Sequence, residues 1–331
     1  MNPIMTGIRS LSTSNHPRNL LLTLDAFGTL FYPHPPVPEQ YATTAHEFGL
    51  SRTAITPQKL KTVFKDVYSA QAKRWPNYGR ADVLRGKYGG PRQWWEEVIQ
   101  ESFARVLASE AGHAFTKQEK FELPPGMVDA LVNRFAGDGG YTLYEDVVPF
   151  FAQMREVRSA MSGRGRFDRV VVGVVSNSDD RVPAVLKALG LRVGSMRADQ
   201  DRSSMELPGF EQRGGEVVSE GQGVDVDVDL VVTSYEAGEE KPNRLIFDVA
   251  KRQAGLLVRD QVLGNGSNPA GVDETDDWVC VHVGDEYEKD YRAALNAGWD
   301  SYLIPRGNTQ EYPAKTIDSL LDLIEELEIQ A

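Results

Sequence analysis

Residues 20 to 30 read Leu20-Leu21-Leu22-Thr23-Leu24-Asp25-Ala26-Phe27-Gly28-Thr29-Leu30. A short apolar run without alternation reads as a strand buried on both faces, hence as part of a parallel sheet covered by helices. The run ends in a carboxylate, Asp25, and then a glycine. In open α/β sheets ligands bind outside the carboxyl ends of the strands, and a tight turn there can aim backbone N–H groups, here those around Gly28 and Thr29, at an anion. Taken alone, Asp-x-x-Gly reads rather as a strand-terminating turn, so the rest of the chain has to decide between the two.

Four more runs of the same kind follow: Val170 to Val175, Leu230 to Val232, Val279 to Val283 and Ser301 to Ile304. Between them lie helix-like segments such as Val182 to Leu189 and Leu245 to Arg252, the alternation that right-handed crossovers require. A doubly wound α/β, Rossmann-like core is therefore expected. The long interval between the first two runs has little strand character and reads as helices. Thr56 and Pro57 supply a cap and a first-turn residue, and Leu60, Val63, Phe64 and Val67 recur at helical spacing. Arg92 to Leu107 and Met127 to Phe135 repeat that pattern. These features place an inserted helical cap domain at residues 34–142, the Rossmann-like core at 19–33 and 143–331 with Tyr144 to Val157 as its first returning helix, and a flexible tail at 1–18. The spans 194–223 and 264–277, without periodicity, read as surface loops. Val224 to Asp229 reads equally as a strand start or as loop.

Composition narrows the function. Over 331 residues, 41% hydrophobic and 25% charged describes an ordinary globular chain, and no apolar run approaches a membrane span. A formal charge of −12 argues against a nucleic-acid binder, which needs a basic face. The single cysteine, Cys280, lies in an apolar run and fits a reducing compartment, so the expected setting is cytoplasmic. An acid-free N-terminus with Arg9 and Arg18 leaves a mitochondrial presequence as the alternative.

Chemistry-bearing residues sit after each strand-like run. Ser176-Asn177-Ser178 follows the second, and its short polar side chains could hold a phosphoryl oxygen, although a helix N-cap is the commoner use. Glu239-Glu240-Lys241-Pro242 follows the third, where Lys241 could neutralise both an anionic substrate and a nearby carboxylate. Gly284-Asp285-Glu286-Tyr287-Glu288-Lys289-Asp290 follows the fourth. Two carboxylates across a strand-to-helix loop are hard oxygen ligands suited to Mg²⁺, or simply an acidic helix start. Each signal is ordinary alone; their order, position and the insert after the first are jointly specific.

In that combination the sequence resembles the haloacid dehalogenase-like superfamily, in the subclass whose helical cap follows the first motif. Trp75-Pro76-Asn77-Tyr78-Gly79, Arg92-Gln93-Trp94-Trp95, Thr233-Ser234-Tyr235-Glu236-Ala237-Gly238 and His282-Val283-Gly284-Asp285 tie it to a narrower group within that superfamily. The resemblance implies Asp25 as nucleophile, Ser176 as the second-motif hydroxyl, Lys241 as the third-motif base, and Asp285 with Asp290 as metal-binding acids. Mg²⁺ would be held by Asp25, Asp285, Asp290 and the Phe27 carbonyl. The substrate would be a small phosphorylated or acyl-phosphate compound bound near Gly28, Thr29, Asn177, Tyr78 and Arg92, with no nucleic acid or membrane partner and room for a protein partner. Within the insert, Trp75, Asn77, Trp94 and Trp95 are further candidates for substrate contact; Trp95, in step with Val98 and Ile99, reads mainly as core, and Trp94 reads either way.

The resemblance breaks at one place that matters. Phosphatases of the superfamily carry a second Asp two residues after the nucleophile, which protonates the leaving oxygen; here that residue is Phe27. General acid-base help is typically worth about 10² to 10⁴-fold. The Asp-Ala-Phe-Gly-Thr wording is similar to metal-independent 2-haloacid dehalogenases, but those enzymes place a tyrosine where this chain has Phe247, and this chain keeps Asp285 and Asp290. Three readings stay open: phosphoryl transfer through Asp25, a non-catalytic binding or regulatory module on the same fold, and dehalogenation. His34, shortly after the motif, is a candidate substitute acid.

Overall fold

A computed structural model describes residues 19–111, 122–161, 166–198, 209–210, 226–264 and 278–329. The tail at 1–18, most of the 194–223 and 264–277 loops, and Val224 lie outside these residues.

The first strand, β1 (Asn19–Leu24), runs through the middle of a six-stranded sheet. Its parallel neighbours are β4 (Arg169–Ser176) and β7 (Trp278–Gly284), in register from Asn19 opposite Arg169 and Trp278 to Leu24 opposite Val174 and Val283. Adding β5 (Val193–Arg197), β6 (Val228–Thr233) and β8 (Asp300–Leu303) gives the order β5-β6-β4-β1-β7-β8, with every pairing parallel. The chain leaves β1 for β4 on one side and returns to β7 on the other. The crevice at the carboxyl end of β1 is therefore the topological switch point at which such sheets bind ligands.

Alternation along β1 explains its unbroken apolar run. Leu20, Leu22 and Leu24 pack on one side with Phe150, Phe151 and Met154 of the helix Val147–Ala160. Leu21 joins Val171, Ile246, Phe247 and Ala250 on the other, beneath the helix Leu245–Gly264. Because both faces are covered, all six β1 residues are buried and period-2 patterning disappears.

Helices α1 (Val37–Glu47), α2 (Pro57–Arg74), α3 (Pro76–Val83), α4 (Pro91–Ala111) and α5 (Met127–Arg134) lie between two short antiparallel strands, β2 (Phe31–Pro33) and β3 (Tyr141–Leu143). Thr56 caps α2 as the sequence implies, its hydroxyl accepting from the Lys59 N–H at 3.3 Å. The helices bury two clusters of their own, one around Tyr41, Phe103 and Leu131 and one around Val67, Trp94 and Val98.

Three elements depart from the sequence expectation. β2 and β3 are three-residue strands, too short to show a period. β5 falls inside the span read as loop. It is an edge strand, broken by a register shift between Val193 and Met196, and its Arg197 guanidinium donates to the Gly194 carbonyl at 2.8 Å. An edge strand of this kind has no need of the apolar run on which the expectation relied. Val228 and Asp229 open β6, so the described part of the ambiguous 224–229 stretch leads into a strand.

Candidate active site

The carboxyl ends of β1, β4, β6 and β7 converge on one charged cluster. Asp25 follows β1 directly, and its backbone N–H donates to the Val283 carbonyl at 2.8 Å, locking the loop to β7. Lys241, in the loop after β6, is buried and reaches across the sheet. Its Nζ lies 2.8 Å from Asp25 Oδ1, 2.6 Å from Asp290 Oδ1 and 2.9 Å from the Val175 carbonyl. Asp290 sits in a π-helical turn, Tyr287–Tyr291, a form frequent at functional sites. The turn swings its carboxylate back to accept from the Glu286 N–H at 2.8 Å.

Carboxylate oxygens of Asp25, Asp285 and Asp290 all lie within 4.8 Å of one another. Two glycines make room for this crowding. A Cβ on Gly28, whose φ of +77° is itself left-handed, would come within 2.5 Å of the Asp285 carboxylate. A Cβ on Gly284 would collide with that of Asp290.

The electrostatics follow from burial and from one cation among several anions. Burial opposes the Lys241 charge, but Asp25 and Asp290 outweigh it and raise the ammonium above its ordinary range. Burial likewise opposes the Asp290 charge, and Lys241 with His282 outweighs it, holding that carboxyl low. Asp25 is pushed up by burial against the pull of Lys241. Among the described residues no cation pairs with Asp285, and burial, with Asp25 and Asp290, pushes it up to about 7. The cluster is thus short of positive charge.

His282 was not singled out as a site residue. Its ring is fully buried, with Nδ1 2.9 Å from Thr23 Oγ1 and Nε2 3.3 Å from Asp290 Oδ1, and burial lowers its pKa. The signal for it was a polar residue inside the apolar run of β7.

Above the cluster lies a cavity of about 470 Å³ between sheet and helical insert, lined by Asp25, Ser176, Asn177, Lys241 and Asp290 below and by Trp75, Asn77 and Tyr78 above. Asn177 brackets the Lys241 backbone, accepting from its N–H at 2.6 Å and donating to its carbonyl at 2.8 Å, so it positions that residue as well as lining the cavity. Asn77 donates to the Ser234 carbonyl at 2.8 Å, and Tyr78 meets Tyr235 edge-on. The Trp75–Gly79 and Thr233–Gly238 segments therefore touch one another across the seam.

Two expectations need correction. Arg92, expected at the substrate, is exposed at the start of α4, and its guanidinium is taken by Glu96 and Asp129; it does not line the cavity. Thr29 is buried, with Oγ1 3.4 Å from Asp285 Oδ1, and Gly28 backs the same carboxylate, so both bear on an acid of the cluster rather than on the cavity lining. Trp94, open to either reading, is buried with its indole donating to the Trp75 carbonyl at 3.1 Å, and it also lines the cavity. Trp95, read mainly as core, packs half-buried against both helical clusters and also lines the cavity, donating to Asp179 Oδ2 at 2.8 Å. Asp179 also holds the buried Arg181 through Nε and Nη2 at 2.9 and 2.8 Å, a pair missed for want of any motif. Phe27 packs edge-on against Phe31 and Tyr141 with centroids 4.7 and 5.6 Å away. His34 is not among the residues lining the cavity.

A carboxylate at the end of the first strand, a buried lysine after β6 and paired acids after β7, beneath an inserted helical layer, make the arrangement of a haloacid dehalogenase-like hydrolase. The chain resembles that superfamily, and a HAD-hydrolase-like family model matches residues 239–326. Among individual proteins it is similar to haloacid dehalogenase-like hydrolase domain-containing protein 3 of Homo sapiens, at 27% identity over 86% of this chain and 81% of that one. An uncharacterized protein of Saccharomyces cerevisiae is 26% identical over 91% of this chain and 76% of its own length. A putative uncharacterized hydrolase of Schizosaccharomyces pombe is 27% identical over 85% and 88%. Among solved structures, the putative HAD-hydrolase YfnB from Bacillus subtilis, bound to magnesium, aligns at 14% identity with a TM-score of 0.47, covering 94% of this chain and 99% of that one. Among the described residues no helix is long and apolar enough to cross a membrane.

Proposed function

We propose that the chain is a magnesium-dependent phosphohydrolase that works through an aspartyl-phosphate at Asp25, with Phe27 standing where a general acid would be. The observation that carries this reading is the buried Lys241 ammonium, 2.8 Å from Asp25 and 2.6 Å from Asp290 at the floor of the cavity. The helices of residues 34–142 serve as its cap.

The donor set fits a hard divalent cation. Three carboxylate oxygens lie within 4.8 Å, glycines at 28 and 284 leave space for them, and Asp285 titrates high because the cluster lacks a second cation. Asp25, Asp285, Asp290 and the Phe27 carbonyl would hold the ion, which would supply neutralising charge to the carboxylates and to the phosphoryl oxygens. Lys241 fixes Asp25 through Oδ1 and adds positive charge where the transferring group becomes anionic. Ser176 and Asn177, which line the cavity, would donate to its oxygens.

In the first step the Asp25 carboxylate forms a bond to phosphorus while the bond from phosphorus to the leaving oxygen breaks, its electrons departing with the leaving group. In the second, water attacks that phosphorus, the Asp25–phosphorus linkage breaks, and inorganic phosphate leaves with a proton released to solvent. Phe27 transfers no proton in either step. Leaving groups that are stable as anions, such as carboxylates and nitrophenolates, are therefore the favoured ones. A single buried thiol, Cys280, suits work in the reducing cytoplasm.

The missing acid also favours a second reading, a binding module built on the same pocket. A screen of acyl, aryl and alkyl phosphates with and without Mg²⁺, run beside Asp25→Asn, separates the two. Magnesium-dependent turnover lost in Asp25→Asn is expected; no turnover on any substrate, with ligand binding that survives the substitution, would establish the binding module.

A further inference from the structure

A second cavity, of about 160 Å³, lies beside the first between the helical insert and the core. Its far wall is made of Phe64, Ile99, Leu131 and Val132. Its near wall is shared with the catalytic cavity, and Phe27 and Trp95 are among the residues that line both. The two spaces thus meet at the residue that replaces the general acid.

Nothing in the chamber asks for a charged ligand. Its one cation, Arg181, is held at both Nε and Nη2 by Asp179 and lies between the rings of Trp95 and Phe210, at 4.9 and 4.6 Å. Burial keeps the lining Tyr41 and Tyr141 as neutral phenols, the latter pushed up to about 12. Its lining is mostly apolar, and an apolar cavity of about 150 Å³ is known to accept benzene.

We infer that this chamber is a subsite for the apolar part of the substrate, an aryl or branched-alkyl group about the size of a benzene ring, reached from Asp25 past the Phe27 side chain. The inference rests on the phosphoryl-transfer reading for the other end of that substrate. Phe27 then has a positive role: its ring forms the wall along which the apolar group passes, where a carboxylate would have to be desolvated. The substrates so defined are phosphate esters or acyl phosphates with an aromatic or compact aliphatic group close to phosphorus, rather than sugar phosphates.

The test uses the full chain carrying Asp25→Asn, with MgCl₂, and titrates phenyl phosphate and methyl phosphate by calorimetry. Toluene is titrated separately and read by the rise in thermal unfolding midpoint. Phenyl phosphate is expected to bind at least about tenfold more tightly than methyl phosphate, from the apolar area it buries. Leu131→Phe, which fills the chamber, should bring the two esters to within about threefold and abolish the toluene effect. Ile99→Phe serves the same purpose should the first variant not fold. Two esters that bind equally overturn the subsite and leave the phosphoryl reading standing. Toluene binding that depends on Leu131, with no binding of either ester, keeps an apolar subsite and sinks the phosphoryl reading. Toluene that fails to bind the unfilled protein overturns the subsite outright.

Discussion

Replacing Lys241 with methionine would remove the one ammonium that the three clustered carboxylates share while keeping most of its volume. Breaking a buried pair by deleting one partner typically costs about 3 to 5 kcal/mol, because the other charge stays buried without compensation. Lys241 is 3% exposed and serves Asp25 and Asp290 together, so the upper half of that range is expected in EDTA. In urea unfolding followed by circular dichroism this is a fall in midpoint of about 1 M or more. The pH dependence of the loss has a definite sign. The raised Lys241 pKa contributes stability that is complete below about pH 10 and is lost as pH climbs through the folded value. The depressed Asp290 pKa contributes stability that is complete above about pH 4 and is lost as pH falls through the folded value. The difference between wild type and Lys241→Met should therefore grow from acid to neutral pH, as Asp290 and then the raised Asp25 and Asp285 carboxyls ionise beside the missing charge, and shrink again only above about pH 10. Adding Mg²⁺ should restore part of the variant's stability, since the ion would replace some of the missing positive charge. A midpoint shift below about 0.3 M in EDTA would refute the picture of Lys241 as the cation that holds the cluster together.

Three further outcomes are expected. Asp285→Asn should abolish Mg²⁺ binding in calorimetry and any hydrolase activity with it, whereas full wild-type activity in excess EDTA would instead indicate dehalogenase-like chemistry. Initial rates should favour nitrophenyl and acyl phosphates over alkyl phosphates, because Phe27 cannot protonate a departing alkoxide; equal rates would reveal another acid. Phe27→Asp should raise turnover of alkyl phosphates by about tenfold or more, at least about 1.4 kcal/mol of barrier, while lowering the melting temperature through loss of the Phe31 and Tyr141 ring contacts. A folded, metal-binding Phe27→Asp protein without that gain would count against a phosphatase lineage for this pocket.

How much of this was legible in the sequence depended on whether one physical cause dominated each residue. Leu20 to Leu24 read correctly as a two-face-buried strand, since both sides of β1 are covered and nothing else produces a run that short and continuous. Asp25, Lys241, Asp285 and Asp290 were found because each follows a strand, and strand ends converge in a parallel sheet. The two tryptophans were harder to read for the opposite reason. Helix α4 packs into two clusters, Val98 in one and Ile99 in the other, so it has apolar residues around most of its circumference. Helical spacing therefore could not say which of Trp94 and Trp95 faces inward. Arg92 has an acid four residues on, Glu96, but its second partner Asp129 lies on another helix and is invisible to local pattern. Asp179 and Arg181 escaped notice because a buried ion pair leaves no periodic trace.

The substitution at residue 27 gains its meaning from the charges around it. Three carboxylates within 4.8 Å face one ammonium, so even with Lys241 fully protonated the cluster carries excess negative charge, and Asp285 already resists ionising below about 7. A fourth carboxylate at position 27 would have to enter that field and also displace a ring that Phe31 and Tyr141 hold edge-on. Phenylalanine avoids both costs and leaves the Lys241–Asp25 pair undisturbed. What it forfeits is proton transfer to the leaving group, which matters only for leaving groups that need a proton. The same ring borders the apolar chamber, so the residue that narrows the chemistry also shapes the space in which an aryl or compact alkyl group would lie. Loss of the acid and the presence of an apolar subsite beside it are then two aspects of one specificity, and a substrate with a good leaving group and an apolar substituent satisfies both.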